Sequence, residues 1–417
     1  MNQPPRVAFF PCAFNEVDGM ANTARHFAAY ARRKGLPFLN VCGGLENRLR
    51  WEGSVVSVER KRGWPKFPLD KKHDFDLYFW RHLEKVKRIV KHFRPDVLHI
   101  TGPSDVGMLG ALIAHQLRIP LAASWHTNLH EYAERRAAPL LRLLPPGLRP
   151  GAGKAIQDAS LRLLLRYYRI PRVLLAPNPE LIALLERSTG KPCFPMGRGV
   201  NMDLFTPARR DRRDGPFIVG YVGRITVEKN ILLLAEVEKE LLDRGRQGFQ
   251  FLIVGQGAAE PALRQALRTA VFTGILEGEA LARAYANMDV LLFPSRTDTF
   301  GNVVLEALAS GVPALVTDAG GPKFIVRHGQ TGFVAGNASE FVQRICWLQD
   351  HAAERQAMSL AARAQALGSS WENVFDGVYE VYRRLLAGDL PNYRADTPCE
   401  PEVLMASLLA RPGVGNG

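Results

Sequence analysis

The sequence predicts an α/β protein built from two doubly wound domains, and three features predict it. Short apolar runs rich in β-branched and aromatic residues alternate with amphipathic helical stretches over nearly the whole chain. Runs such as FIVGYVG, FLIVG and VLLFP are apolar on both faces, as a parallel strand covered by helices on either side must be. The alternation breaks in a segment rich in turn and charged residues, TPARRDRRDGP, and restarts near residue 216. The 417 residues exceed one ordinary core and suit two domains with a tail.

In the first half, strands are expected at residues 7–10, 96–100, 120–124 and 173–176. In the second half they are expected at 217–222, 251–255, 271–274, 290–294 and 314–317. The linker falls at about residues 200–215, and no repeat relates the halves. From about residue 337 the pattern is helical only, closing in a helix at 371–386. Beyond Ala387, Pro and Gly with weak periodicity read as a loosely ordered tail.

Composition narrows the classes of function. With 47% apolar and 23% charged residues, the chain is that of an ordinary globular protein. No apolar run reaches the ~18–20 residues of a membrane-spanning helix. MNQPPRVAFF enters a strand almost at once, without the basic start or cleavage site of a signal peptide, so a cytoplasmic protein is expected. The five cysteines (Cys12, Cys42, Cys193, Cys346, Cys399) are odd in number and widely spaced. Without a CxxC pair or Cys/His cluster they read as free, mostly buried thiols, not as metal ligands or a disulfide framework.

The net charge of +13 is concentrated in the first half, in residues 60–94 and 135–172. These stretches lack the interleaved exposed aromatics of a single-strand binder and any zinc-finger or helix-turn-helix signature, so nucleic acid is not an expected partner. Two accounts of the charge remain, peripheral contact with an anionic membrane surface and a solvated basic surface with no partner.

Chemistry concentrates in the second half. Residues 294–322, PSRTDTFGNVVLEALASGVPALVTDAGGP, read as a strand end, a loop, and a helix starting near Val303 with Glu306 in its first turn. In a doubly wound domain ligands sit outside the carboxyl ends of strands, at helix N-termini. The loop amides and the positive helix end therefore face an anion such as a diphosphate. Asp298 and Glu306 flank that loop, and two acceptor-only carboxylates beside an anion site suit sugar or ribose hydroxyls. On these residues alone an alternative weighs equally: Glu306 stabilises a helix start and Asp298 caps a turn.

Residues 220–230, GYVGRITVEKN, run from a strand into a loop holding Arg224 and Lys229. Arginine clamps two oxygens and lysine supplies a point charge, which suits a diphosphate; two solvated loop charges are the alternative. LIVGQG, residues 252–257, sets Gly255 and Gly257 in a turn where backbone can approach a base or ribose. It lacks the full GxGxxG and an acidic partner placed for a dinucleotide, which disfavours a dehydrogenase.

Together these stretches resemble the retaining glycosyltransferases of family 4, and the resemblance extends over most of the chain. The family's Glu-x7-Glu appears as Asp298-x7-Glu306, with Asp in place of the first Glu. Its G-R-x-x-x-E-K is intact from Gly223 to Lys229, and EALASGVP, TDAGG and RGVNMDLFTP match further landmarks in order. FNEVDGMANTARHFAAYARRKG looks like the family's glycine loop, which implies that Gly19 comes close to the donor phosphates or the reaction centre. In SWHTNLHEYAERR, the resemblance gives His126 a contact with the donor sugar, with His130 a weaker candidate. A packed histidine at a strand end is the alternative for His126. EVDGMANT and TDTFGNVVLEALASGVP look most similar to a branch of bacterial lipid mannosyl-, glucosyl- and sulfoquinovosyltransferases.

The resemblance implies the GT-B fold, two Rossmann-like domains facing across a cleft. Residues 1–205 would form the acceptor domain and 206–370 the sugar-nucleotide domain. A helix at 371–390 would pack back toward the N-terminal domain, and 391–417 would be the tail. It implies transfer of a hexose from an NDP-sugar to an acceptor hydroxyl, a lipid or glycan, with retention and without a metal or other cofactor. Arg224, Lys229 and the amides near Phe300, Gly301 and Asn302 would stabilise the leaving diphosphate. Glu306 would hold the nucleotide ribose, Asp298 a hexose hydroxyl and His126 the sugar, while Gly223, Gly255 and Gly257 would let backbone approach the nucleotide. The shorter arm of Asp298 bears on which sugar is taken. Competing readings are a sugar-nucleotide epimerase or hydrolase on the same frame, and a non-catalytic nucleotide-sugar or membrane-surface binding protein. No protein partner is inferred.

Overall fold

The computed structural model describes residues 3–16, 19–68, 74–128 and 149–390, with isolated positions between 137 and 147. The tail from 391, with Cys399, lies outside the described residues, as does His130. Two compact units divide the chain: residues up to Met196 together with those from Phe375 onward, and Gly197–Val374.

The first unit alternates strand and helix: β1 (Val7–Phe10), α1 (Gly19–Arg33), β2 (Phe38–Gly44), β3 (Arg48–Glu52), β4 (Val55–Lys61), β5 (Lys66–Pro68), β6 (Asp74–Asp76) and α2 (Leu83–Phe93). There follow β7 (Val97–Ile100), α3 (Asp105–Leu117), β8 (Leu121–Ser124), α4 (Arg149–Tyr167), β9 (Val173–Ala176), α5 (Pro179–Thr189) and β10 (Cys193–Pro195). Among the described residues its main sheet runs β10-β9-β8-β7-β1-β2-β4-β3, parallel except for the β3–β4 hairpin. Central β1 is buried on both faces. Ala8 and Phe10 join Leu98 and Ile100 in one core layer, while Phe9 packs edge-on against Phe27 of α1 at 5.2 Å between centroids.

In the second unit the order is β11 (Phe217–Val222), α6 (Leu232–Asp243), β12 (Phe249–Val254), α7 (Glu260–Ala266), β13 (Ala270–Gly274), α8 (Gly278–Ala286) and β14 (Val290–Phe293). It continues with α9 (Asn302–Ala309), β15 (Ala314–Thr317), β16 (Gly332–Ala335), α10 (Ala338–Asp350) and α11 (Ala352–Leu367). The sheet is β13-β12-β11-β14-β15-β16, all parallel. The chain winds outward from β11 to β13, then returns to the other side of β11 as β14. Such a reversal opens a crevice at the carboxyl ends of the two strands flanking it. The first unit reverses in the same way between β1 and β7.

The last helix, α12 (Trp371–Ala387), carries Phe375, Val378, Tyr379, Tyr382 and Leu385 as one apolar stripe. Within the first unit Phe375 stacks on Phe27, 4.4 Å between centroids and 9° between planes. The segment expected as a linker, 200–215, is tied down inside the second unit. Arg210 lies 2.8 Å from the buried Asp289 carboxylate, Arg212 pairs with its other oxygen, and the Ile218 amide donates to it at 2.8 Å. Cys42 and Cys193 are buried, and burial pushes both thiols up to about 12, which leaves them inert.

The first half also shows what its charge does. Arg62 binds Asp105 at 2.9 Å and Glu16 at 3.2 Å, and Arg81 pairs with the buried Asp76, so some of its arginines are paired internally while the net excess is unchanged. The expectation that this stretch lacks exposed aromatics is corrected. Within 60–94, Trp64 is 86% exposed in the loop between β4 and β5, and Tyr78 and Trp80 are open in the turn before α2; just before it, Trp51 on the exposed β3 edge is 66% exposed.

Candidate active site

In the second unit, four loops meet at the carboxyl edge of the sheet. The chain leaves β11 through Gly223, at φ 148°, whose amide donates to the Val254 carbonyl at 3.0 Å. The Ile225 amide donates to the Gln256 carbonyl and the Ala259 amide to that of Ile225, each at 3.0 Å. A β-carbon on Gly255 would sit 1.9 Å from the Gly223 oxygen, and one on Gly257 2.1 Å from the Ile225 oxygen. Both glycines therefore have a packing role: the loops after β11 and β12 touch backbone to backbone.

The β11 loop then turns through a short 3-10 segment, Val227–Lys229. Its Lys229 Nζ lies 2.6 and 2.8 Å from the two oxygens of Asp298, in the loop after β14. With side chains 14% and 22% exposed, this is a partly desolvated pair. Asp298 is thus engaged by a cation and does not cap a turn. Asn230 Nδ2 donates to the Pro294 carbonyl at 3.3 Å, and Thr297 Oγ1 to that of Glu228 at 3.4 Å, further joining the loops. Arg224 lies 3.5 Å from Glu228 and is 61% exposed, a pair worth little on its own.

The loop carrying Asp298 is closed on its other side by the turn after β15. The Gly321 amide donates to the Asp298 carbonyl at 2.7 Å, and a β-carbon on Gly321 would lie 2.1 Å from the Thr299 oxygen. Phe300 packs on the second unit's core, and Gly301, at φ 103°, precedes α9 with no side chain capping the helix. The helix begins at Asn302, one residue earlier than expected, so Glu306 lies beyond the first turn. Stabilisation by the helix dipole fades within the first turn, so that account of Glu306 falls away. Its carboxylate instead accepts from the Tyr285 hydroxyl at 2.8 Å. Burial raises the Glu306 pKa above the ordinary value, with the Tyr285 bond opposing it.

Sequence reasoning missed Tyr285 and Tyr221. Tyr221, fully buried in β11, donates to the Arg224 carbonyl at 2.8 Å and props the loop from beneath. The one signal available was that a tyrosine in an otherwise apolar core needs a partner for its hydroxyl.

In the first unit, α1 starts at Gly19, whose carbonyl accepts from Thr23 Oγ1 at 2.8 Å. His126 follows β8 and is buried, with Nε2 2.6 Å from Ser124 Oγ. Thr127 Oγ1 reaches Met20 Sδ at 3.2 Å, which brings the His126 loop to the start of α1. The structure thus gathers Gly19 with His126, and Gly223, Lys229 and Asp298 with one another.

Known protein families match both halves. Residues 18–182 match a glycosyl transferase 4-like domain and residues 216–351 match glycosyl transferases group 1. A GDP-mannose-dependent alpha-mannosyltransferase of Mycolicibacterium smegmatis is 34% identical over 405 residues, 91% of this chain and 98% of its own. A sulfoquinovosyl transferase of Arabidopsis thaliana is 27% identical over 89% of this chain and 72% of its own. A sucrose-phosphate synthase structure from Thermosynechococcus elongatus shares the fold, GT-B, with a TM-score of 0.69 at 19% identity, covering 92% of this chain and 100% of that one. With a relative this similar over nearly its whole length, the chain belongs to the family 4 glycosyltransferases.

Proposed function

We propose that this glycosyltransferase moves a hexose from a nucleoside-diphosphate sugar to a lipid hydroxyl with retention of configuration, and that GDP-mannose is its donor. The observation that carries the reading is the Lys229–Asp298 pair, set beside the uncapped start of α9 where the strand order reverses. The GDP-mannose-dependent relative named above supports the donor, and the motif resemblance to the lipid glycosyltransferase branch supports the acceptor class.

As the bond from the anomeric carbon to the diphosphate oxygen breaks, negative charge grows on the leaving group. Lys229, Arg224 and the amides of Phe300, Gly301 and Asn302 stabilise it, worth most where water is excluded. The acceptor oxygen attacks on the same face, and its proton passes to the leaving phosphate. Asp298, already anchored by Lys229, presents its remaining acceptor capacity to a hexose hydroxyl. Glu306, braced by Tyr285, takes the ribose hydroxyls. His126 contacts the hexose, and Gly19 leaves room near the donor.

The basic first unit adds a surface for an anionic membrane. Among the described residues no helix is long and apolar enough to cross a bilayer. Exposed Trp80 stands near Lys85, Arg88 and Lys91 in sequence, and exposed Trp64 near Arg60, Lys61 and Arg62; tryptophan with lysine and arginine is the composition of an interfacial contact.

A panel of GDP-mannose, UDP-glucose, UDP-galactose, UDP-GlcNAc and UDP-sulfoquinovose, read by thermal shift, tests the donor. Stabilisation by GDP-mannose above the rest supports the reading; a preference for a UDP-sugar would replace the donor, and silence to all five would overturn nucleotide-sugar binding.

A further inference from the structure

The first unit contains a buried line of polar groups that the transfer chemistry does not use directly. Tyr382 of α12 hydrogen-bonds His99 Nδ1 on β7. His99 Nε2 lies 2.9 Å from Ser124 Oγ on β8, and the same oxygen lies 2.6 Å from His126 Nε2. His99 and Tyr382 have no solvent exposure, and Ser124 has almost none. Three separate elements thus converge on one histidine at a strand end.

The direction of the line follows from counting donors and acceptors. Among the described residues, His99 is the one hydrogen-bond partner of the Tyr382 hydroxyl. If His99 Nδ1–H donated to it, the phenolic proton would be buried without an acceptor, an arrangement folded proteins avoid. Tyr382 therefore donates, and Nδ1 accepts. Phe9 and Phe27 pack around the His99 ring, and burial holds its pKa near about 3, so the imidazole is neutral with one N–H. That proton sits on Nε2 and goes to Ser124 Oγ. The serine hydroxyl, having accepted it, donates onward to His126 Nε2.

We propose that Tyr382, His99 and Ser124 form a positioning relay that fixes His126 with Nε2 as acceptor and Nδ1 protonated, so that its tautomer is set before a donor sugar binds. The inference rests on the reading of His126 as a donor-sugar contact. Its content is which nitrogen carries the proton and why. A histidine free to exchange tautomers would present that donor only part of the time; the relay removes the choice before substrate arrives.

The test is ring nitrogen NMR on the full chain labelled with 15N-histidine, the His126 signals being assigned by their loss in His126→Gln. The expected pattern is a protonated Nδ1 and a bare Nε2. A protonated Nε2 in the unmodified protein overturns the relay. Tyr382→Phe keeps the ring but frees His99 to turn its donor round, so His126 should become a mixture of tautomers. With it, kcat for NDP release should fall about twofold, since the competent tautomer is then present about half of the time, at a nearly constant donor KM. Unchanged His126 signals in Tyr382→Phe overturn the relay. Should that variant misfold, Ser124→Ala breaks the line at its last link and must give the same tautomer mixture. If the relay signals are as expected but His126→Gln leaves NDP release intact, the relay stands and the sugar contact of His126 fails.

Discussion

The two units hold their candidate groups by opposite means. In the second, a lysine and a carboxylate from different loops pair at 2.6 Å, each with part of its side chain in water. In the first, His126 is held by a neutral, buried line of hydroxyls and imidazoles. On the proposed function, the difference follows from what each would face. A site for a diphosphate needs fixed charge whose field survives partial hydration, and an ion pair can give its lysine to a second anion without moving. A site for an uncharged sugar hydroxyl needs one donor at one place, which charge would blur and a hydrogen-bond line sharpens.

Removing the charged half should do the greater damage. Lys229→Met leaves Asp298 without its cation and should lower kcat/KM for NDP release by roughly a hundredfold or more, in the range of a lost charge-stabilising group. His126→Gln should cost less, about tenfold, as the loss of one neutral contact. If the two losses came out equal in steady-state assays, the division between charged and neutral sites would be wrong.

Backbone packing between the loops is expected to matter next. Gly257→Ala places a β-carbon 2.1 Å from the Ile225 oxygen and should destabilise the protein by about 2–4 kcal/mol, read as a lower Tm. An unchanged Tm would mean that the loops separate easily and that Gly257 serves the nucleotide alone.

A smaller effect distinguishes Glu306 from the Lys229–Asp298 pair. Its folded pKa is raised, so the folded state keeps a proton that the unfolded chain has lost, and stability falls as pH rises past the ordinary glutamate value. Glu306→Gln removes that penalty. Its Tm gain over the unmodified chain should be absent near about pH 3.5 and present near about pH 7. A gain independent of pH would contradict the burial account.

The smallest effect concerns the surface. Trp64→Ala combined with Lys85→Glu should weaken sedimentation with vesicles of 30% phosphatidylserine by several-fold at low salt and leave lipid-free donor binding unchanged. Equal sedimentation would favour the solvated surface with no partner.

What the sequence made legible follows the same physical divide. Several strands apolar on both faces were readable: residues 7–10, 173–176, 217–222 and 314–317 coincide with β1, β9, β11 and β15, whereas β2, buried over most of its length, was not expected. The hairpin strand β3, exposed along its length and mostly charged, carries no such signal, while β10 is three residues ending in Pro195 and β16 opens on Gly332. At the site, residue types were legible from local motifs but their pairings were not. Lys229 and Asp298 stand 69 residues apart, and His99 and Tyr382 stand 283 apart. Nothing in local periodicity fixes a contact made across a sheet. The line behind His126 was invisible for that reason, since each of its members reads alone as an ordinary core residue.

The most direct test of the whole account is GDP release from GDP-mannose, followed with and without mixed bacterial lipid vesicles, for the unmodified chain and for Lys229→Met. The account predicts release that requires lipid, yields a mannosylated lipid with the α configuration, and collapses in the variant. Release at the same rate without any lipid would instead identify a sugar-nucleotide hydrolase and contradict it.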